Sequence, residues 1–363
     1  MMLGMRTASR TYLILLLLSL GAMGAVYAAL FPSQARSVLG LPGPEPTLAT
    51  LNTAPVGSIS LVVEPQDGIT PVLSLIQNAS TSVDMVMYEL TDPEVEQALL
   101  DAKNRGIAVR VLLNEGYYGK QTGDYGAPVP VNQPAYEYLE SHGIAVKWTP
   151  VYFALTHQKT LVVDGSEALI MSFNLVPRYY ATGRDFGIDD TDQADVAAIE
   201  KTFNDDWAGE QDAAPQGDDL LWSPGSKDIV LSLIRGASST LAIYNEEMND
   251  QDIVNALEAA AKRGVEVRVD MTYATNWKPA FTELAQNGVL VRTYASSSKD
   301  LYIHAKTILV DNRIAFIGSE NFSAGSLNDN RELGIVLSQK DILASLQDIF
   351  NTDWSGARPF VSQ

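Results

Sequence analysis

The sequence predicts an α/β fold made of two similar halves paired about a pseudo-two-fold axis. Three observations predict it: strand-like and helix-like runs alternate along the chain, a long stretch of that alternation is repeated, and both copies end on one short motif. Val72–Leu90, VLSLIQNASTSVDMVMYEL, matches Val230–Met248, VLSLIRGASSTLAIYNEEM, at an offset of 158 residues. The offset then falls to 147 and stays there through the closing motifs FNDDWAG (203–209) and FNTDWSG (350–356). The first half therefore carries 11 extra residues, which are expected in a Gly-, Tyr- and Pro-rich surface loop at Gly116–Gln133.

Taken in order, Arg6 and Arg10 precede Thr11–Leu30, an uncharged and mainly apolar run of 20 residues, with Val26-Tyr27-Ala28 at its end. A basic flank before such a run fits a secretory signal peptide, and its length equally fits a membrane anchor. Either reading makes the protein secreted or extracytoplasmic, in the second case held on the membrane by residues 11–30. Residues 31–57 read as a Pro/Gly/Ser-rich linker, 58–209 as the first half, 210–226 as an acidic connection and 227–360 as the second half.

Within the first half, Val72–Gln77 closes a helix and Val83–Tyr88 is an apolar strand. Asp92 caps a helix over Pro93–Arg105, with Val95, Ala98, Leu99 and Ala102 on one face and Gly106 past its end. Ile107–Leu113 is the next strand. The second half repeats the plan with Asp250, Ile253, Ala256, Leu257, Gly264 and the strand Val265–Met271.

Composition narrows the chemistry. A formal charge of −19, from 44 acidic and 25 basic residues, disfavours non-specific nucleic-acid binding. With no cysteine there is no disulfide, thiolate metal site or catalytic thiol. Three histidines, and carboxylates without ligand spacing, give no reason to expect a metal.

Two of those three histidines sit in a repeated frame. His157, Lys159, Asp164, Ser172, Asn174 and Asp185 recur 147 residues later as His304, Lys306, Asp311, Ser319, Asn321 and Glu332. Asp164-Gly165, and Asp311-Asn312 after it, mark hairpin turns between apolar runs. Side chains two apart on a strand share a face, so His and Lys project together, as do Ser and Asn on the returning strand. The lysines supply charge to a phosphate, and Ser172, Ser319, Asn174 and Asn321 supply neutral donors. Two facing imidazoles could attack a phosphorus in line and protonate its leaving oxygen. The acid 28 residues after each histidine is expected to hold the far ring nitrogen, Asp185 serving His157 as a shorter arm than Glu332. Asp164 and Asp311 are read as structural turn residues. His142 is read as a helix-end residue outside the site and Trp207 and Trp354 as core. Glu89 and Glu247 are placed either at the site or on a solvated face, and Arg178, Tyr179 and Tyr180 either near a headgroup or on an exposed loop.

The doubled His-x-Lys-x4-Asp frame, with Ser, Asn and an acid downstream in register, resembles the phospholipase D or HKD superfamily over essentially residues 58–360. The resemblance implies two α/β halves with the active site between them, a covalent phosphohistidine, no cofactor and no required metal, with His157 as nucleophile and His304 as general acid. Two positions depart from it: Met171 stands where the second half has Gly318, and the first acid is Asp185. The expected activity is a phosphodiesterase or transphosphatidylase acting on a phospholipid, as a monomer with membrane association through the N-terminal segment. The alternatives are a metal-independent nuclease of the same chemistry, and a non-catalytic binding protein that keeps the fold.

Overall fold

A computed structural model describes residues 59–116, 130–215, 217 and 219–361. The signal or anchor expected at 11–30, the linker and most of the 116–133 loop lie outside the described residues. The described residues belong to one compact unit.

The first half runs β1 (Ile59–Glu64), α1 (Thr70–Asn78), β2 (Ser82–Met87), α2 (Pro93–Asn104), β3 (Ala108–Leu113), α3 (Gln133–Ser141), β4 (Ala145–Trp148), β5 (Thr160–Val163), β6 (Glu167–Met171), β7 (Gly183–Asp190) and α4 (Gln193–Ala208). The second half retraces it: β8 (Leu220–Ser223), α5 (Lys227–Gly236), β9 (Thr240–Tyr244), α6 (Gln251–Lys262), β10 (Glu266–Thr272), α7 (Lys278–Gln286), β11 (Leu290–Tyr294), β12 (Tyr302–Ile303), β13 (Lys306–Val310), β14 (Ile314–Gly318), α8 (Ala324–Asn328), β15 (Glu332–Leu337), α9 (Lys340–Gly356) and β16 (Arg358–Pro359). The expected caps form: Asp92 accepts from Glu94 N at 2.8 Å, and Asp250 from Asp252 N and Ile253 N at 3.1 and 3.2 Å. Among the described residues no helix is long and apolar enough to cross a membrane.

Each half builds a mixed sheet, in the orders β1-β7-β6-β5-β2-β3-β4 and β16-β11-β10-β9-β13-β14-β15-β8. Period-two alternation sends the two faces of each sheet into different cores. In β5, Leu161 and Val163 join the core under α1–α3, while Val162 turns to a core shared by both halves. In β13, Ile308 and Val310 pack toward α5–α7, while Leu309 joins that same shared core. Both sheets are thus buried on both faces, which explains why their strands read as continuous apolar runs.

The halves are stitched where the histidines lie. The N–H groups of His157 and Gln158 donate to the Arg331 carbonyl at 2.9 and 3.0 Å; those of His304 and Ala305 donate to the Arg184 carbonyl at 3.2 and 2.8 Å. β12 of the second half pairs in parallel with β7 of the first. Two buried ion pairs cross the same seam. The Arg331 guanidinium grips both oxygens of Asp206 at 2.9 and 3.0 Å, and that of Arg184 grips Asp353 at 2.6 and 3.1 Å. Those aspartates are the fourth residues of the two closing motifs. The tryptophans beside them, expected as core, are only half-buried: Trp207 lies under the Lys147 ammonium and Trp354 under the Arg292 guanidinium.

Candidate active site

The β5–β6 and β13–β14 hairpins deliver the repeated frames. Asp164 and Gly165 have φ of 55° and 60°, and Asp311 and Asn312 of 53° and 50°, as a two-residue turn twisted to match its strands requires. The carboxylate of Asp164 accepts the N–H groups of Ser80, Thr81 and Ser82, while Asp311 accepts those of Ser238, Ser239 and Thr240. Each thus ties its turn to the loop before the neighbouring strand, β2 or β9, and neither touches the histidines.

His157 and Lys159 lie just before β5, and His304 sits two residues ahead of Lys306, the first residue of β13. All four are buried, and each lysine curls back on its own histidine: Lys159 Nζ donates to the His157 carbonyl at 2.6 Å, and Lys306 Nζ to that of His304. The second partners differ. Lys159 lies 4.9 Å from the Tyr88 ring centroid, whereas Lys306 meets Glu246 Oε2 at 3.1 Å. Burial, with Lys306 nearby, pushes the Lys159 ammonium down to about 7 against the pull of Glu332.

The acids are crossed between halves, which corrects the in-half pairing expected from sequence. His157 Nδ1 lies 2.8 Å from Glu332 Oε2, and His304 Nδ1 lies 2.9 Å from Asp185 Oδ1. The reason is topological: the strand pairing across the seam brings each histidine beside the other half's acid-bearing strand. Burial lowers the His157 imidazole below its ordinary range, Lys159 and Lys306 act in the same direction, and Glu332 only partly offsets them. Burial works to raise Glu332, but His157 and Lys159 outweigh it and keep it below the usual carboxylate range. At neutral pH this leaves a neutral His157 donating Nδ1–H to an ionised Glu332, with Nε2 free of protein hydrogen bonds among the described residues.

The two serines are also placed differently from the sequence expectation. Ser172 Oγ donates to Asp185 Oδ1 at 2.6 Å and accepts from Phe186 N at 2.9 Å. Ser319 lies beside Glu332 and accepts from Leu333 N at 3.1 Å. Both are fully buried beneath the acids and unavailable to a phosphate, because β6 and β14 end one residue earlier and the two-residue alternation no longer holds there. Asn321 reaches Glu246 through Nδ2 at 3.4 Å and Asn174 lines a small pocket with Asp185 and His304; the amide oxygens of both are buried and lack hydrogen-bond partners among the described residues.

One residue of the site was missed in the sequence. Glu246, half-buried, brings Oε2 to 3.3 Å from His304 Nε2, 3.1 Å from Lys306 Nζ and 3.4 Å from Asn321 Nδ2, while Oε1 accepts the Tyr302 hydroxyl at 2.7 Å. The repeat carried the signal, because the 158-residue offset sets Glu246 opposite Tyr88. Glu89 and Glu247, the pair singled out instead, lie one residue further along; their charges reach Lys159 and Lys306. Tyr180 donates to Asp92 at 2.8 Å, Arg178 and Tyr179 line a pocket of about 520 Å³, and His142 ends α3 on the surface. The three carboxylates that come together on the surface, Asp205, Glu210 and Asp212, have Lys201 among them, 2.5 Å from Asp205.

The site is therefore two imidazoles, two lysines and two amides converging from equivalent hairpins, an arrangement suited to an anionic tetrahedral group. The family model for the cardiolipin synthase PLD-like domain matches residues 72–207 and again 230–354, well over half of the chain. The chain belongs to this phospholipase D-like family. Among curated relatives, cardiolipin synthase 2 of Bacillus cereus is 24% identical over 333 residues, covering 78% of this chain and 62% of that protein. Cardiolipin synthase A of Proteus mirabilis is 23% identical over 371 residues, covering 86% and 74%. The chain thus spans less than two thirds of the length of the Bacillus relative. Among solved structures, phosphatidylserine synthase of Haemophilus influenzae aligns with a TM-score of 0.67 at 13% identity, covering 85% of this chain and 88% of that one. Polyphosphate kinase of Porphyromonas gingivalis aligns at 0.61 and 16%, covering 88% and 53%. At such identities these two likenesses speak for the phospholipase D-like fold alone.

Proposed function

We propose that this phospholipase D-like chain transfers the phosphatidyl group of a phospholipid to an alcohol or to water through a phosphohistidine on His157. The observation that carries this is the asymmetry of the two crossed pairs. His157 presents an open Nε2 backed by a single acid, the arrangement of a nucleophile. His304 has a carboxylate on each side, Asp185 hydrogen-bonded at Nδ1 and Glu246 at 3.3 Å from Nε2, and a carboxylate beside Nε2 favours the proton that a general acid must hold there. In the first step His157 Nε2 bonds to phosphorus, the ester P–O bond breaks, and the His304 Nε2 proton passes to the leaving oxygen. In the second, an entering hydroxyl returns that proton to His304 as its oxygen displaces His157. Lys159, Lys306, Asn174 and Asn321 hold the non-bridging oxygens.

The cardiolipin synthases among the relatives support a lipid substrate, as does the net charge of −19, which disfavours a polynucleotide. The run Thr11–Leu30 supports a location at or beyond a membrane, by anchoring or export. The test is the full chain with phospholipid vesicles, a primary alcohol and a chelator. Phosphatidyl-alcohol should form, and should be absent with His157→Ala. No lipid product, together with chelator-resistant cleavage of a single-stranded oligonucleotide, would overturn the lipid reading in favour of a nuclease.

A further inference from the structure

The two halves of the site are not equivalent, and the difference lies at one residue. Where the first half offers the uncharged Tyr88 ring to Lys159, the second offers the Glu246 carboxylate to Lys306, to His304 Nε2 and to Asn321. These three donors are the ones a bound phosphodiester needs: Lys306 and Asn321 for its non-bridging oxygens and His304 for its leaving oxygen. When the phosphate takes them, Glu246 Oε2 loses all three partners. In the free site burial alone would raise this carboxyl, but Lys306, His304 and the Tyr302 hydroxyl hold it well below the usual carboxylate range, so an arriving phosphate meets it as an anion. A half-buried carboxylate deprived of donors in that place is costly unless the substrate brings one.

The space for such a group lies next to the tyrosine that Glu246 holds. Tyr302, hydrogen-bonded to Glu246, stacks on His304 at 5.9 Å between ring centroids and on Tyr179 at 5.6 Å. Behind Tyr302 opens the pocket of about 520 Å³, lined by Arg178, Tyr179, Thr182, Ser296, Ser298 and Tyr302. Tyr302 is the wall this pocket shares with His304, the histidine that serves the alcohol in the proposed steps.

We propose that Glu246, Tyr302 and this pocket form the subsite for the alcohol that leaves or enters, and that this alcohol carries a second hydrogen-bond donor, a hydroxyl or an ammonium, for the Glu246 carboxylate. The inference rests on the phosphatidyl-transfer reading and names its alcohol. Glu246 is then a specificity residue, selecting polyol or amino-alcohol groups over simple alkanols.

The experiment is a competition in one tube, so that product ratios do not depend on how much protein is folded. Full-length protein receives equimolar glycerol and 1-propanol on phosphatidylethanolamine vesicles, or ethanolamine and 1-propanol on phosphatidylglycerol vesicles, so that each leaving headgroup also carries a donor. With the wild type, phosphatidylglycerol or phosphatidylethanolamine should exceed phosphatidylpropanol by about tenfold or more, the worth of one charge-assisted hydrogen bond. Whichever arm shows the preference identifies the donor as hydroxyl or ammonium. Glu246→Gln should cut the ratio several-fold, Glu246→Tyr should bring it near one, and Tyr302→Phe, which removes only the hydroxyl, should fall between. A wild-type ratio near one, or ratios unchanged in the Glu246 variants, would overturn the subsite while leaving phosphatidyl transfer standing. No transfer to any acceptor would overturn the functional reading beneath it, and the subsite with it.

Discussion

Replacing Asp164 by Asn asks whether the aspartate of the His-x-Lys-x4-Asp frame acts through chemistry or through architecture. Its carboxylate accepts Thr81 N at 2.6 Å and Ser80 N and Ser82 N at 2.9 Å, with the Thr81 hydroxyl also at 2.9 Å. Burial acts to raise its pKa; the N–H groups of Ser82, Thr81 and Ser80 outweigh burial and hold it down to about 2, from an ordinary 3.8. At 1.36 kcal/mol per unit that drop corresponds to about 2 kcal/mol, and solvent screening at so open a turn reduces it to about 1 kcal/mol. Asn keeps one acceptor oxygen and tolerates the left-handed backbone, so the cost is the lost charge together with the Ser80 N–H bond to Oδ2, which an amide NH2 cannot accept. The sign follows from the depressed pKa: the stabilisation is full above pH 3.8 and fades as pH falls through about 2. Urea unfolding at pH 7 should show Asp164→Asn less stable by about 1 kcal/mol, with the gap closing toward pH 2, and turnover per folded molecule should stay within a few-fold. A hundredfold loss of turnover with unchanged unfolding free energy would refute the architectural role.

Three more expectations follow from the site and its seam. Glu332→Gln and Asp185→Asn should each slow turnover by about 10²–10⁴-fold. With an activated aryl leaving group, only Asp185→Asn should recover its first-step rate, because Glu332 serves the nucleophile; the pre-steady-state burst reads this directly. Above about pH 7 Lys159 loses its proton and the phosphate site a charge, so kcat/KM should fall there mainly through KM, and a profile flat to about pH 9 would contradict it. Arg331→Met should destabilise the protein by about 3 kcal/mol or more by leaving Asp206 buried and unpaired; adding Asp206→Leu should recover part of that in thermal unfolding.

Much of this is legible in the sequence. The doubled frame, the hairpin turn at Asp164-Gly165 and the caps at Asp92 and Asp250 are local patterns, and local chemistry decides them. What was not readable depends on the seam. The acid follows its histidine by 28 residues in both halves, so spacing alone cannot tell in-half from crossed pairing; the parallel pairing of β12 with β7 makes that choice. The serines were misplaced because the face rule was carried past Met171 and Gly318, where the strands stop. The repeat pairs Glu247 with Glu89 but gives Glu246 no acidic counterpart, and because β9 ends at Tyr244, alternation does not say which carboxylate turns inward.

The most direct test of the two-histidine account is to trap the intermediate. A phosphodiester with an activated aryl group, which departs without needing a proton, is mixed with His304→Ala, quenched and digested for peptide mass spectrometry. The account predicts a phosphoryl adduct on the peptide carrying His157, accumulating because no base remains to drive the second step, and no adduct in His157→Ala. An adduct on His304 in the wild type, or turnover in His157→Ala comparable to the wild type, would contradict it.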